Sequence, residues 1–225
     1  MNPGTTVILD RDGTLLDFYE MFHRFVLDLH RDEQVSPPPR EVVLGYAYWK
    51  AITSGDLHIG GVRVLDRVDD VAHRYMAHGT LFEGAVPAIT SLFAAGVRLA
   101  LVSSWVGTAP TVELLDRNGV GHCFGQVVTR DDLPGRGEGA PDADVKITLA
   151  RQALVHIGHP PGDRLFVVGD TAADVALGRD LGASVVGVRT GNGHMLPETP
   201  PEGPDTMLPS VARLVDVVLG TGGRP

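Results

Sequence analysis

Two aspartates separated by one residue, in Asp10-Arg11-Asp12-Gly13-Thr14, close a short β-prone apolar run, Thr6-Val7-Ile8-Leu9. Carboxylates so placed repel each other and lose hydration, which calls for a cation between them. Mg²⁺, a hard ion that takes oxygen ligands and keeps waters for a phosphate to replace, is the natural candidate. Gly13 permits a sharp turn and Thr14 adds a hydroxyl and an N–H beyond it. Taken alone, the pattern fits a strand followed by an Asx-type turn just as well.

What favours chemistry is the placing of the other polar groups. Ser103-Ser104 follows a second apolar run, Val97 to Ser103, and Asp170 and Asp174 follow a third, Leu165 to Gly169. Lys146 opens the segment after a Gly/Pro-rich loop, Arg130 to Asp144, and is one of only two lysines among 19 basic residues. Where arginine is used almost everywhere, a retained lysine suggests a task for a compact ammonium.

The elements that must position these groups alternate. Helical patterns over Ala85–Ala95, Thr111–Arg117, Val145–His156 and Ala172–Leu181 interleave with strands at Val97–Ser103, Gln126–Thr129, Leu165–Gly169 and Ser184–Val188. That order predicts an α/β, Rossmann-like parallel sheet with helices on both faces, whose ligands bind outside the carboxyl ends of the strands. All the residues above lie at that rim. Between the first and second strands the periodicity is helical throughout: Phe18, Met21, Phe22, Phe25, Val26 and Leu29 form one stripe, a second helix begins near Arg40, and a third runs from Leu65 to Met76. The expected organisation is therefore a core of residues 1–16 and 82–225 and a small α-helical insertion, 17–81. A last helix is expected near Val211–Leu219, after a Pro-rich segment from Pro197 to Pro209, with a mobile tail at Gly220–Pro225.

Composition narrows the partners. The net charge of −9, without a Lys/Arg cluster, disfavours nucleic acid and anionic membrane. The single cysteine, Cys123, cannot build an internal disulfide framework and reads as a buried small hydrophobe. With no charged leader followed by an apolar segment, and no apolar run approaching the roughly 18 residues that span a bilayer, the expectation is a cytoplasmic protein, monomeric or homodimeric.

With the four polar sets in this order, the chain resembles the haloacid dehalogenase superfamily, in particular its capped phosphatase branch and phosphoglycolate phosphatase-like enzymes. Asp10-Arg11-Asp12-Gly13-Thr14-Leu15 is similar to the first motif of that family, Ser103 to the second, Lys146 to the third, and Gly169-Asp170 to Asp174 to the fourth. The resemblance covers residues 6 to about 190 and makes the helical insertion a cap domain. It implies a Mg²⁺-dependent phosphatase acting on a small phosphorylated metabolite. Asp10 would be the nucleophile and Asp12 the general acid and base. Ser103, Ser104 and Lys146 would bind the phosphoryl group. Asp10, the backbone carbonyl of Asp12 and Asp170 would hold the metal, with Gly13, Thr14 and Asp174 in support.

Two positions depart from the pattern. Arg11 stands where many capped relatives have an apolar residue, and Lys146 is followed by Ile147-Thr148 without the common proline. Lys50, in the insertion, raises the thought of a Schiff-base P–C hydrolase, but the second aspartate, Asp12, speaks against it. The histidines form no metal-binding pattern; His194, in the Gly-rich loop after the last strand, is placed to reach the active rim. The rival readings are a phosphomutase or phosphotransferase built on the same residues, and a non-catalytic signalling or phospho-ligand-binding relative.

Overall fold

The computed structural model describes residues 4–220, so the expected tail beyond Gly220 lies outside the described residues. The chain divides into two compact units, one running up to Asp17 and resuming at Leu81, the other spanning Phe18–Thr80.

The first unit is built on six strands: β1 (Thr5–Leu9), β2 (Arg98–Val102), β3 (Phe124–Val128), β4 (Arg164–Gly169), β5 (Ser184–Val188) and β6 (Thr206–Leu208). They form one sheet in the order β6-β5-β4-β1-β2-β3, every pair parallel. A parallel sheet must be covered on both faces, and the alternation within β1 shows how. Val7 and Leu9 point into a core with Leu99, Leu101, Phe166 and Val168, covered by α1 (Ala85–Ala94) and α5 (Leu214–Val218). Ile8 points the other way, into a core with Ala100, Val102 and Val167, covered by α3 (Asp142–His156) and α4 (Ala172–Asp180). α2 (Thr108–Arg117) adds Leu115 to the first of these cores.

Strand order decides where a ligand can enter. From β1 the chain builds outward through β2 and β3, then returns to the other side of β1 for β4, β5 and β6. The winding direction therefore changes between β1 and β4, which are in register from Thr5↔Arg164 to Leu9↔Val168. At such a switch point the loops leave the sheet on opposite faces and open a crevice beyond the carboxyl ends.

The structure differs from the sequence expectations in several local ways. β6 falls inside the stretch that reads as a Pro-rich connection; Asp205 N–H and side chain close onto the start of β5, pairing a three-residue edge strand between prolines. α3 begins at Asp142, not Val145, since Pro141 precedes the first turn and Asp142 and Asp144 suit its positive end. α2 begins at Thr108, three residues before Thr111.

The second unit carries the helices Tyr19–Asp32, Arg40–Val43 and Tyr46–Thr53. The stripe expected as one helix over Leu65–Met76 is broken into 3₁₀ turns at Val64–Arg67 and Met76–His78 around a helix at Asp70–Arg74. A two-strand ribbon, His58–Ile59 with Val62–Arg63, turns at Gly60-Gly61, where Gly60 has φ +57°. The interior of this unit is aromatic: Phe22 packs edge-on against Trp49 at 5.4 Å and Phe25 against Tyr75 at 6.0 Å. The Tyr75 hydroxyl donates to Asp28 at 2.7 Å.

Candidate functional site

At the carboxyl end of β1, Asp10 is the first residue past the ladder, its N–H still bound to the Val168 carbonyl of β4 at 2.9 Å. Val168 is the last β4 residue registered with β1, so Asp170, two residues on, faces the same crevice as Asp10. Asp174 lies in the first turn of α4, where it closes a capping box with Thr171: one carboxylate oxygen accepts from the Thr171 N–H at 3.1 Å and hydroxyl at 2.6 Å. Its other oxygen is thereby turned toward Lys146.

Lys146 projects from α3 with its ammonium 2.8 Å from Asp10 and 2.6 Å from Asp174, and all three side chains are buried. Carboxylate oxygens of Asp10, Asp170 and Asp174 lie within 4.8 Å of one another. Three buried acids with one base leave an excess of negative charge in a poorly hydrated site. Burial drives the Asp10 carboxyl well above its usual range; the Lys146 ammonium pulls it down, while Asp174, Asp170 and Asp12 push it further up. Burial, then the charge of Asp174, raises Asp170 to about 6 against the opposing effects of the Asn192 N–H, Lys146 and Thr14. Lys146 is the converse case: burial alone would lower it, but Asp10 and Asp174 outweigh burial and hold it charged. Hard oxygen donors in charge excess fit a divalent cation.

The loop after β1 packs tightly around Asp170. Gly13 has φ +82°, and a Cβ there would run into the Asp170 carboxylate. The Thr14 hydroxyl donates to one Asp170 oxygen at 3.1 Å and the Asn192 N–H to the other at 2.7 Å. Gly191, beside it at φ +57°, leaves no room for a Cβ against the same carboxylate and the Gly13 backbone. The loop expected to bring His194 to the rim thus contributes a backbone N–H instead, while His194 itself is exposed. A backbone donor carries no signature in residue type, so the sequence pattern gives no sign of it. Lys50 is an exposed residue of the second unit.

Asp12 is held differently. Its carboxylate accepts from the Arg11 Nε at 2.9 and 3.1 Å and lies 2.8 Å from the Arg11 Nη2. The Ser103 hydroxyl, just past β2, donates to it at 3.1 Å and accepts from the Trp105 N–H at 3.1 Å. Ser104 is half-buried, with its carbonyl bound to Arg130 at 2.7 Å. The structure therefore joins Lys146 directly to Asp10 and Asp174, sets Asp170 within 4.8 Å of both acids with Gly13 and Thr14 against it, and joins Asp12 to Ser103. Asp174, expected in a supporting part, contacts Lys146 directly.

A model of the haloacid dehalogenase-like hydrolases matches residues 5–182, from β1 through α4. The chain belongs to this hydrolase family. No curated protein matches it by sequence. Among solved structures, this hydrolase is similar to a predicted phosphatase from Clostridium acetobutylicum, at 18% identity over 97% of this chain and 100% of that one, with a TM-score of 0.73. It is similar to Protein Tyrosine Kinase A of Mycobacterium tuberculosis at 22% identity, over 97% and 99% of the two chains, with a TM-score of 0.71. A predicted phosphoglycolate phosphatase from Haemophilus somnus 129pt gives 18% identity, 96% and 99% coverage and a TM-score of 0.70. At these identities the likeness is one of fold.

Proposed function

We propose that this hydrolase is a Mg²⁺-dependent phosphatase that cleaves small phosphate monoesters through an aspartyl-phosphate on Asp10. The observation that carries the reading is the buried cluster at the switch point, in which one ammonium serves two of three carboxylates whose oxygens lie within 4.8 Å of one another. Such a cluster is electrostatically incomplete until a dication and an anionic substrate enter.

In the proposed reaction an Asp10 carboxylate oxygen attacks phosphorus while the bond from phosphorus to the ester oxygen breaks. Asp12 gives its proton to the departing oxygen. A water then attacks the same phosphorus, its proton passing to Asp12, and the bond between phosphorus and Asp10 breaks to release inorganic phosphate. Lys146 favours the ionised form of Asp10 against its burial, orients it, and offsets phosphoryl charge. The Ser103 hydroxyl, which donates to Asp12 in the structure, would turn to the phosphoryl oxygens when substrate enters, beside backbone N–H groups near Ser104. Asp10, Asp170 and the Asp12 carbonyl would hold Mg²⁺, with Asp174 fixing the loop; when bound, the ion would supply charge neutralisation at the phosphoryl oxygens. The unit Phe18–Thr80, inserted between the first and second motifs, is assigned as the cap that selects the substrate.

The test is phosphate release from a panel of phosphorylated metabolites, in Mg²⁺ and in EDTA, with Asp10→Asn as control. Metal-dependent release that the substitution abolishes supports the reading, and equal release by the variant refutes it. Should the label from a phosphorylated donor appear on a second hydroxyl compound with no phosphate released, the same residues serve phosphotransfer.

A further inference from the structure

Arg11 is an unexpected residue to find buried. Its side chain is 1% exposed, among the largest fully buried side chains described in the protein. A guanidinium removed from water is costly unless its charge and its donors find partners, and here the partners divide between its two edges. Its Nη1 is fixed to the sheet's rim, donating to the Val106 carbonyl at 2.9 Å and to the Thr111 hydroxyl at 2.7 Å. The Thr111 hydroxyl spends its own proton on the Gly107 carbonyl at 2.6 Å, leaving a lone pair for Arg11. The ring of Trp105 lies 5.9 Å from the guanidinium carbon. The remaining Nε and Nη2 edge is presented, side-on, to Asp12.

Asp12 has two rotatable side-chain bonds and, at 17% side-chain exposure, some room to move. Ser103 offers a single hydrogen bond, which does not define the plane of a carboxylate. Arg11 does: its Nε donates to both carboxylate oxygens while Nη2 lies 2.8 Å from one of them, so the planar guanidinium fixes the plane of the acceptor. We propose that Arg11 is a positioning residue for Asp12: anchored on the 106–111 segment, it sets the orientation in which the Asp12 carboxyl exchanges its proton with the leaving oxygen. The proposal rests on the phosphatase reading above. It gives the one departure from the common apolar residue at this position a role in proton transfer, separate from nucleophilic attack.

Positioning acts on one step and spares another, which makes it separable from a purely structural role. Leaving-group protonation matters for an alkyl phosphate, whose alkoxide is a poor leaving group, and little for p-nitrophenyl phosphate, whose phenolate departs unaided. kcat/KM reports the first irreversible step, transfer to Asp10, so it carries this difference without the later hydrolysis. Arg11→Met is expected to lower kcat/KM for an alkyl phosphate by roughly 100-fold, the scale of a misaligned proton donor, while p-nitrophenyl phosphate stays within a few-fold of wild type. In an Asp12→Ala background, Arg11→Met should add nothing further, since the group it positions is gone.

Because Arg11→Met also strands Val106 and Thr111, Arg11→Lys and Thr111→Val carry the same comparison with milder perturbation. Lysine retains the charge without the fork, and valine removes the outer anchor while leaving Arg11 in place. Both should show the same selective loss, smaller in size, with circular dichroism and melting close to wild type. Equal loss on both substrates, or full additivity with Asp12→Ala, overturns the proposal and returns Arg11 to a packing role. If wild-type protein releases no phosphate, or Asp12→Ala shows no leaving-group dependence, the phosphatase reading itself fails and the proposal falls with it.

Discussion

Replacing Asp170 by asparagine should make the metal-free protein more stable while destroying its activity. Asp170 is 1% exposed and is raised to about 6 by burial and by Asp174. An unperturbed aspartate titrates near about 3.9, so the displacement is about two pH units, or about 3 kcal/mol. The sign comes from proton counting. Between about pH 4 and about pH 6 the folded state holds a proton that the unfolded chain has lost, so stability falls as pH rises through this window and the full penalty applies above it. Asparagine is neutral throughout and escapes that penalty. Against this, the Thr14 and Asn192 donors lose a charged acceptor, which takes back about 1–2 kcal/mol. The net expectation is a gain of roughly 1–2 kcal/mol at pH 8 in EDTA, vanishing toward pH 4. Urea unfolding followed by Trp105, in a Trp49→Phe background, measures this in the unit that contains the site. Saturating Mg²⁺ should then stabilise the wild type, by about 2.7 kcal/mol at a hundredfold excess over Kd, and leave the variant unmoved. A variant less stable than wild type by more than about 1 kcal/mol in EDTA, or an equal Mg²⁺ effect on both, would refute the reasoning.

Lys146→Met removes the ammonium shared by Asp10 and Asp174, and should lower stability at pH 8 by about 3–5 kcal/mol, a loss that shrinks in acid as the raised Asp10 carboxyl takes up a proton; urea titrations at pH 8 and pH 5 give the comparison. Apparent Mg²⁺ affinity, followed by calorimetry, should weaken about tenfold per pH unit below about pH 6, where Asp170 takes up a proton in competition with the ion. Gly13→Ala sets a Cβ against the Asp170 carboxylate at φ +82° and should destabilise by about 1–3 kcal/mol with loss of Mg²⁺ protection against thermal unfolding. Tyr75→Phe deletes the hydrogen bond to Asp28 in the second unit, lowering that unit's stability by about 1 kcal/mol and leaving Mg²⁺ affinity unchanged.

The sheet is readable because its strands are buried on both faces and therefore appear as unbroken runs such as Leu-Phe-Val-Val, each followed at once by a polar group. Asp10, Ser103 and Asp170 announce themselves by that abrupt change, and Lys146 by scarcity. β6 does not, because three residues between prolines bury too little to impose a pattern and owe their pairing to Asp205. The Leu65–Met76 stripe keeps its apolar face while its backbone breaks into 3₁₀ and α turns; the period reports which side is buried, and the hydrogen-bond pattern is left open. Gly60-Gly61 is a hairpin signal that the pattern hides, because the strands it joins are two residues long.

What cannot be read at all is the pairing of charges, which depends on three dimensions. The carboxylates at the crevice are divided between two cations that come from different directions. Arg11, anchored on the segment after β2, takes Asp12; Lys146, from α3, takes Asp10 and Asp174. Asp170 receives only neutral donors, the Thr14 hydroxyl and the Asn192 N–H. Burial and the Asp174 charge raise Asp170 toward neutrality against these two hydrogen bonds and the Lys146 charge, a strain that a dication would relieve. Asp10 and Asp12, one residue apart, thus rest on different counter-charges. The double substitution Arg11→Met with Lys146→Met should therefore lose more stability in EDTA at pH 8 than either change alone and depart from additivity, since the stranded Asp10 and Asp12 carboxylates act on each other.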